Sequence, residues 1–294
     1  MKKIIKYIII APVSIMRKFE YVYEIVLSNI FGSNFSSQIR TKYINNNNQR
    51  FQVVEHKNKA SEIFKASFFT PNYICQMRAD TFSTKEPEML EWIDEYGDNG
   101  IFFDIGANIG LYSIYFAKTK KGMTYAFEPS VFNIGQIAKN ISINKLSDKV
   151  NLIPNPLSNT NTFSKFINSN TNEGGAHNAF GVNYGSDGNL IRNNIEFSIL
   201  GLSIDFMFET GILKDFPTMI KIDVDGIEHL ILEGAKKTIK RNECKTIFIE
   251  VNDAFELSSN KISQILTNCG FLFKEKRQNE AMGKSTYNQI WIKG

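Results

Sequence analysis

A glycine-containing run that begins with an acid is the strongest chemical signal in this sequence. The run Asp104–Gly110 reads DIGANIG and lies where an apolar stretch typical of a strand gives way to one typical of a helix. Glycines at such a turn let a ligand approach the backbone closely. A carboxylate beside them repels a pyrophosphate and attracts a ligand that carries an ammonium and a sulfonium. The run favours S-adenosylmethionine over NAD, and we assign to cofactor binding Asp104, Gly106, Ala107, Asn108 and Gly110.

A second acid, Glu128, ends the next predicted strand and is followed by Pro129. Doubly wound nucleotide-binding domains place an acid about 20 residues after the glycine loop, where it accepts hydrogen bonds from ribose hydroxyls. The alternative is an exposed carboxylate at a strand end. We assign Glu128 and Pro129 to the cofactor site, together with Asn155, which follows the third predicted strand. Asn155 would border the adenine or belong to a simple proline turn.

Three further acids follow the fourth predicted strand in the run KIDVDGIEH, namely Asp223, Asp225 and Glu228. They could orient a methyl donor, act as a general base on an acceptor hydroxyl, or bind a divalent cation together with Glu250. The sequence has no D-x-D-x-D-G run and no histidine pair, so we predict no metal site. We assign Asp223 and Asp225 to catalysis, whereas Glu228 equally suits the N-terminal end of a helix dipole.

The third candidate for catalysis is His177, in the segment 158–194, which is rich in Asn, Gly and Ser. An imidazole can accept a proton near neutral pH, although a loop histidine is more often simply solvated. A loop of this length inside a compact domain is usually functional or disordered. We therefore interpret the segment as a candidate substrate lid.

Strands alternate with helices from residue 101 onward. We predict strands at 101–105, 124–128, 150–155, 219–223 and 246–250, and helices at 111–117, 131–144, 229–240 and 262–269. A hairpin at the sheet edge is predicted from 271–274 and 289–292. This alternation predicts an α/β fold with a parallel sheet and helices on both faces. The candidate residues then meet at the carboxyl ends of the strands, where open α/β sheets bind ligands.

At Phe103–Gly110, Phe127–Pro129 and Lys221–Glu228 the sequence resembles the FkbM family of S-adenosylmethionine-dependent methyltransferases. The resemblance covers roughly residues 100 to 275 and implies the class I methyltransferase fold, which is Rossmann-like, with a mostly parallel seven-stranded sheet and an antiparallel edge strand. It also implies O-methylation of a hydroxyl, often on a sugar of a surface polysaccharide, a glycolipid or a related metabolite. The sequence departs from the family pattern at Asp225, where glutamate is commoner, and at Pro156, where a small residue is typical.

Two other functions remain open from the residues alone. An NAD-linked oxidoreductase or epimerase would carry G-x-G-x-x-G before the first helix, whereas only Gly106 and Gly110 stand in this run. A catalytically inactive nucleotide-binding module would keep the fold without the reaction. The intact acidic and glycine positions favour an enzyme.

We predict three regions: an N-terminal helical extension at 1–48, a lead-in subdomain of short strands and a helix at 49–100, and the cofactor-binding methyltransferase domain at 101–294. The apolar stretch near the start is interrupted by Lys6 and is too short for a spanning helix, which needs about 20 residues. The extension is either an amphipathic helix on a membrane surface or partner, or a helix that covers its own domain.

The charge composition and the spacing of the cysteines indicate the class of acceptor and the cellular compartment. The 34 basic and 30 acidic residues give a net charge of +4 and are scattered along the chain, which does not favour nucleic acid. We expect a small-molecule or glycan acceptor. The cysteines, Cys75, Cys244 and Cys269, are too widely spaced for a zinc cluster or a disulfide framework. This favours a cytoplasmic protein, with peripheral contact at the inner face of the membrane through the N-terminal segment.

Overall fold

A computed structural model describes residues 50–191, 195–278 and 285–294, together with 22, 25, 26, 28–30 and 38. The chain divides into two compact units, Met1–Arg50 and Phe51–Gly294. Residues 22, 25, 26, 28–30 and 38 of the first unit are helical, and the rest of the predicted extension lies outside the described residues. Within the described ranges, no helix combines the length and apolarity needed to cross a membrane.

The second unit is built from alternating strands and helices. Its first half contains β1 (Phe51–Lys57), β2 (Ile63–Phe69), α1 (Tyr73–Asp80), α2 (Pro87–Tyr96), β3 (Ile101–Ile105), α3 (Leu111–Thr119), β4 (Met123–Phe127), α4 (Val131–Ile143), β5 (Val150–Ile153) and β6 (Thr162–Asn168). Its second half contains β7 (Ala179–Phe180), β8 (Ile195–Gly201), α5 (Ile204–Glu209), β9 (Met219–Ile222), α6 (Glu228–Glu233), α7 (Lys236–Lys240), β10 (Thr246–Asn252), α8 (Glu256–Asn268), β11 (Phe271–Gln278) and β12 (Thr286–Lys293).

Seven of these strands form the central sheet, in the order β11-β12-β10-β9-β3-β4-β5. Neighbouring strands from β10 to β5 are parallel, and β12 is antiparallel to both β10 and β11. The predicted edge hairpin is confirmed, with both strands longer than predicted. This order, with its single reversed strand, confirms the class I methyltransferase fold.

Side chains of the central strands alternate between two apolar cores because successive residues of a strand point to opposite faces. Phe102 belongs to a buried cluster with Ile114 of α3 and Ile137 of α4. Its neighbour Phe103 belongs to the opposite cluster, with residues of α5 to α8 such as Ile231. The prediction of helices on both faces is therefore confirmed, and apolar side chains pack against the sheet from both sides.

Residues 51–100 pack as part of the same unit as the central sheet. The β1–β2 ribbon is antiparallel, and its residues Val54 and Phe68 lie in one buried cluster with Trp92 of α2 and Tyr115 of α3. A two-stranded ribbon is barely stable alone, so its apolar face needs such a partner. Residues 51–100 thus belong to the compact unit Phe51–Gly294.

Two predicted elements differ from the structure. The segment 158–194 is not a continuous loop, because β6 and β7 form a three-stranded antiparallel sheet with β8, and its apolar residues Phe166 and Phe180 are buried there. The predicted helix 229–240 is broken into α6 and α7 at Gly234. A side chain at Gly234 would overlap the carbonyl oxygen of Ser158, so the break accommodates a close backbone contact.

Candidate active site

A cavity of about 740 Å³ lies at the carboxyl ends of the parallel strands. A smaller cavity of about 40 Å³ adjoins it over the glycine loop. The predicted residues on the wall of the large cavity are Gly106, Asn108, Glu128, Pro129, Asn155, His177, Asp223 and Asp225. Ala107 lines the small cavity, while Asp104 and Gly110 line neither. The structure thus brings most of the predicted residues together around one cavity.

The glycine loop takes a backbone conformation that other residues rarely adopt. Gly106 has a φ of +78°, and a side chain there would overlap the carbonyl oxygen of Asp223. Its N–H donates to the carbonyl of Phe127 at 3.0 Å, which ties the loop to the end of β4. Gly110 has a φ of +83° and begins α3 against Ile137. The two glycines therefore shape the loop. Gly106 also borders both cavities, whereas Gly110 borders neither.

Asp104 lies beneath the glycine loop, paired with a buried lysine. Lys221 stands opposite Asp104 in the register of β3 and β9, with its Nζ 3.2 Å from Asp104 Oδ1. Burial opposes the charge of Lys221, but Asp104 and Asp223 outweigh it and raise the pKa of the ammonium. Lys221 also donates to the carbonyl of Gly106 at 2.7 Å. The Asp104 carboxylate therefore contacts the loop through Lys221, and its assignment to cofactor binding stays a prediction.

Glu128 is buried at the end of β4 with its carboxylate fixed by two backbone amides. Oε2 accepts the N–H of Asn108 at 2.8 Å, and Oε1 accepts the N–H of Ser130 at 2.9 Å. Burial raises the pKa of Glu128 to about 7, against the opposing effect of these hydrogen bonds. Each carboxylate oxygen can accept a second hydrogen bond. The arrangement suits a ligand that presents two adjacent hydroxyls.

Apolar side chains form another part of the wall of the large cavity. They come from the central sheet, from the segment after β5, from the β6–β7 pair and from α6 and the residue before it, and include Ile105, Phe127, Leu157, Phe166, Phe180, Ile227 and Ile231. An apolar wall beside a fixed carboxylate suits a flat heterocycle attached to a sugar. Asn155 lies on the same wall and donates its amide to the carbonyl of Leu200 at 3.0 Å; its contact with adenine stays a prediction.

The three predicted catalytic residues line the large cavity in different ways. Asp223 borders both cavities, and its Oδ2 lies 3.6 Å from Lys221 Nζ. Asp225 Oδ2 accepts the backbone N–H groups of His177 and Asn178, at 2.7 and 3.1 Å. The His177 ring is largely exposed, with Nδ1 3.6 Å from Asp225 Oδ1. Asp225 thus positions the backbone around His177, and Asp223 is the better placed of the two acids to meet a substrate.

The sequence profile of the Methyltransferase FkbM domain matches residues 104–273, which is more than half of the chain. This chain belongs to the FkbM methyltransferase family. The match begins at the acid of the glycine loop and ends within β11, so it contains the motifs that carried the resemblance except for Phe103. No curated protein matches the sequence.

This FkbM-family methyltransferase is also similar to solved structures at low sequence identity. The precorrin-6y C5,15-methyltransferase from Geobacter metallireducens is 14% identical, with a TM-score of 0.42 and coverage of 71% of this chain and 87% of that one. An rRNA methylase from Streptococcus thermophilus is 13% identical, with a TM-score of 0.44 and coverage of 70% and 94%. TYW2 of M. jannaschii, solved in complex with AdoMet, is 14% identical, with a TM-score of 0.42 and coverage of 82% and 87%. These similarities concern the fold alone.

A loop at residues 169–178, which we call the roof loop, covers one side of the methyltransferase cavity. Its backbone is held by side chains from three other elements. Asn133 accepts the N–H of Gly174 at 2.8 Å, and Arg78 Nε donates to the carbonyl of the same residue at 2.7 Å. Asn108 of the glycine loop donates to the carbonyl of Gly175 at 2.8 Å. The roof loop is therefore tied directly to the predicted cofactor loop.

The last turn of α1 and the segment that leads to α2 supply cavity residues that were not predicted from the sequence. Arg78, Thr81, Lys85 and Glu86 line both cavities. Lys85 Nζ lies 2.9 Å from Glu86 Oε1, and the Tyr112 hydroxyl donates to Glu86 at 2.7 Å. Burial favours the neutral form of Glu86, but Lys85 and these hydrogen bonds outweigh it and lower its pKa. The segment precedes every recognised motif, and no periodic pattern in it points toward the glycine loop.

Two other acids of this methyltransferase differ in their surroundings. Glu228 Oε1 accepts the N–H groups of Val224 and Gly226, at 3.3 and 3.1 Å, so it stabilises the turn before α6. Glu250 borders the large cavity from β10, and burial together with nearby carboxylates raises its pKa well above the ordinary value. Among the described residues, no group of three or more His, Cys, Asp or Glu side chains is arranged to hold a metal ion.

Proposed function

We propose that this methyltransferase uses S-adenosylmethionine to methylate a hydroxyl of a sugar in a surface polysaccharide, a glycolipid or a related metabolite. The proposal is carried by the large cavity, which has Glu128 at one wall and Asp223 at another. Membership of the FkbM methyltransferase family favours methyl transfer over the oxidoreductase or epimerase considered from the sequence. An inactive binding module is an outcome that the experiment below distinguishes.

The walls of the cavity fit the parts of S-adenosylmethionine. Glu128 can accept the ribose hydroxyls, while Phe127 and Leu157 contribute to an apolar wall suited to adenine. The glycine loop lets the rest of the molecule approach the backbone. When bound, S-adenosylmethionine supplies a methyl group on a sulfonium. The protein mainly has to align an acceptor with that group and exclude water, and the roof loop covers the cavity for this purpose.

The acceptor side is proposed to lie at the ends of β9 and β10. Asp223 can accept a hydrogen bond from an acceptor hydroxyl and take its proton during transfer. Asp225 and Glu250 add two carboxyl groups to the same wall, and Asn178 adds an amide. Carboxyl groups, whether neutral or ionised, offer hydrogen bonds to the hydroxyls of a neutral polyol. This supports a sugar as the acceptor.

We also propose that the protein is cytoplasmic and that residues 1–48 contact the inner face of the membrane. Apolar residues at helical spacing in this segment are exposed, namely Val22, Ile25, Val26 and Ile30. Lysines near the start of the sequence, such as Lys2 and Lys3, would be attracted to anionic lipid headgroups. Free and buried cysteines accord with a reducing compartment.

The experiment is transfer of an isotope-labelled methyl group to a panel of acceptors. The panel contains neutral glycosides, nucleotide sugars and glycolipids, with an aliphatic amine and a tRNA as comparators. We expect label in a sugar hydroxyl, located by NMR of the product. Label in the amine or the tRNA alone would contradict the acceptor class. Calorimetric titration with S-adenosylhomocysteine completes the test: binding without transfer to any acceptor identifies an inactive module, and no binding contradicts the proposed cofactor.

A further inference from the structure

We propose that Arg78 binds the carboxylate at the amino-acid end of the cofactor. This inference rests on the proposed use of S-adenosylmethionine. Arg78 lies outside the matched FkbM domain, in the segment that precedes the central sheet. The proposal makes residues upstream of that domain part of the cofactor site itself.

The position of Arg78 relative to the glycine loop is the first step. Arg78 stands in the last turn of α1 and borders both the large and the small cavity. Gly106 and Asn108 border the same two cavities. Neither Glu128 nor the apolar wall borders the small cavity, so a cofactor whose ribose is held by Glu128 would extend its amino-acid end toward that cavity. Arg78 is then on the wall that faces this end.

The guanidinium of Arg78 is held in place with its outer edge available. Nε donates to the carbonyl of Gly174 at 2.7 Å, which fixes the plane of the group against the roof loop. Its terminal nitrogens make no hydrogen bond or ion pair with any residue in the described part of the chain. Two parallel N–H groups of an arginine match the two oxygens of a carboxylate, and a group already fixed loses little freedom on binding.

The other cations at these cavities already have carboxylate partners. Lys221 is buried and paired with Asp104 and Asp223. Lys85 is paired with Glu86 at 2.9 Å. Among the lysines and arginines that line either cavity in the described ranges, Arg78 is therefore the one without a carboxylate partner. A ligand carboxylate entering this end would supply that partner.

The test is a comparison of two ligands on two proteins by titration calorimetry. S-adenosylhomocysteine carries the amino-acid end, and 5′-methylthioadenosine lacks it while keeping the adenine and ribose. We expect Arg78→Gln to weaken binding of S-adenosylhomocysteine about 10- to 100-fold, the range for a hydrogen-bonded charged group. Binding of 5′-methylthioadenosine should change less than about twofold. Arg78→Lys keeps the positive charge but loses the two parallel N–H groups, so the loss of affinity should be intermediate. This variant replaces Arg78→Gln in the test if the glutamine variant does not fold.

Two control variants separate charge from loop anchoring. Lys85→Gln removes a cation of the same cavities that has its own partner, and we expect a much smaller loss for S-adenosylhomocysteine. Asn133→Ala removes a contact to Gly174 of the roof loop without removing a charge, so any loss should be equal for both ligands.

The results of these titrations distinguish the proposal from its alternatives. Equal weakening of both ligands by Arg78→Gln, or weakening of neither, overturns the proposal. Unchanged S-adenosylhomocysteine binding with a raised KM for an anionic acceptor also overturns it, and assigns Arg78 to the acceptor. Failure of the unaltered protein to bind S-adenosylhomocysteine instead overturns the proposed cofactor.

Discussion

Glu128 and Glu228 are two equally buried acids of which only Glu128 borders the large cavity. Each accepts two backbone amides, so they form a matched pair. We expect Glu128→Ala to weaken S-adenosylhomocysteine binding by about 1.5 to 3 kcal/mol, the range for hydrogen bonds to a charged group. Glu228→Ala should leave the affinity unchanged. Titration calorimetry measures both, and equal losses in the two variants would assign Glu128 a role in folding alone.

Asp223 is the acid that we expect to act on the acceptor. Asp223→Asn keeps the size and removes the charge, so turnover should fall about 10²- to 10⁴-fold, as for other general bases. The affinity for S-adenosylhomocysteine should change much less. Initial rates and calorimetry on the same preparation check both quantities. Near-normal turnover combined with poor binding would move Asp223 to the cofactor and leave His177 as the candidate base.

The raised pKa of Glu228 makes stability depend on pH. Burial raises it from 4.5 to about 7, against hydrogen bonds from backbone amides. Between these values the unfolded chain loses the proton while the folded protein keeps it, so the free energy of unfolding falls as pH rises from about 4.5 to 7. Glu228→Gln should remove this contribution and reduce the fall. Urea unfolding of both proteins at pH 5, 6, 7 and 8 measures it, and identical pH dependence would show that Glu228 does not titrate in this range.

At the scale of elements, the roof loop depends on Asp225. Its carboxylate accepts the N–H groups of His177 and Asn178. We expect Asp225→Ala to increase hydrogen exchange of these two amides because both lose their acceptor. Asp187→Ala is the matched control, since Asp187 contacts Asn189 in the same polar segment and does not line the cavity. Unchanged exchange in the Asp225 variant would mean that other contacts are sufficient to hold the loop.

Elements with a strong local pattern were predictable from sequence. The apolar runs at 101–105 and 246–250 identify buried strands, and the glycines after Ile105 identify the turn that borders the ligand cavity. The β6–β7 pair was missed because its apolar residues form runs of at most two within a segment rich in Asn, Gly and Ser. The pairing of Asp104 with Lys221 depends on which strands are neighbours and in what register. Sequence spacing does not contain that information.

At the scale of the whole molecule, the segment 51–100 was the largest omission from the predicted site. Arg78 and Glu86 reach the cavity only because the β1–β2 ribbon and α2 pack on α3, through contacts between residues far apart in sequence. Such contacts leave no periodic signal around Arg78 itself. The central sheet was predictable because each of its strands carries its own pattern.

The division at Arg50 leads to a prediction about the N-terminal unit. Residues 51–294 form a compact unit with its own core, so a protein that begins at Gln49 should fold and bind S-adenosylhomocysteine as the full chain does. It should no longer co-sediment with vesicles of anionic phospholipid, because the exposed apolar residues of the first unit are removed. Equal co-sedimentation of the two proteins would contradict the proposed membrane contact.

The ion pair between Asp104 and Lys221 has a consequence for biosynthesis. Of the two neighbours of β3 in the sheet, β4 follows it closely in the chain, whereas β9 is synthesised much later. At about 5 to 20 residues per second, Lys221 emerges roughly 6 to 23 s after Asp104. Throughout that interval one edge of an apolar strand is open, and a charged residue on an open edge disfavours pairing with another nascent chain. Asp104 would thus protect the growing polypeptide from aggregation until Lys221 arrives and neutralises it.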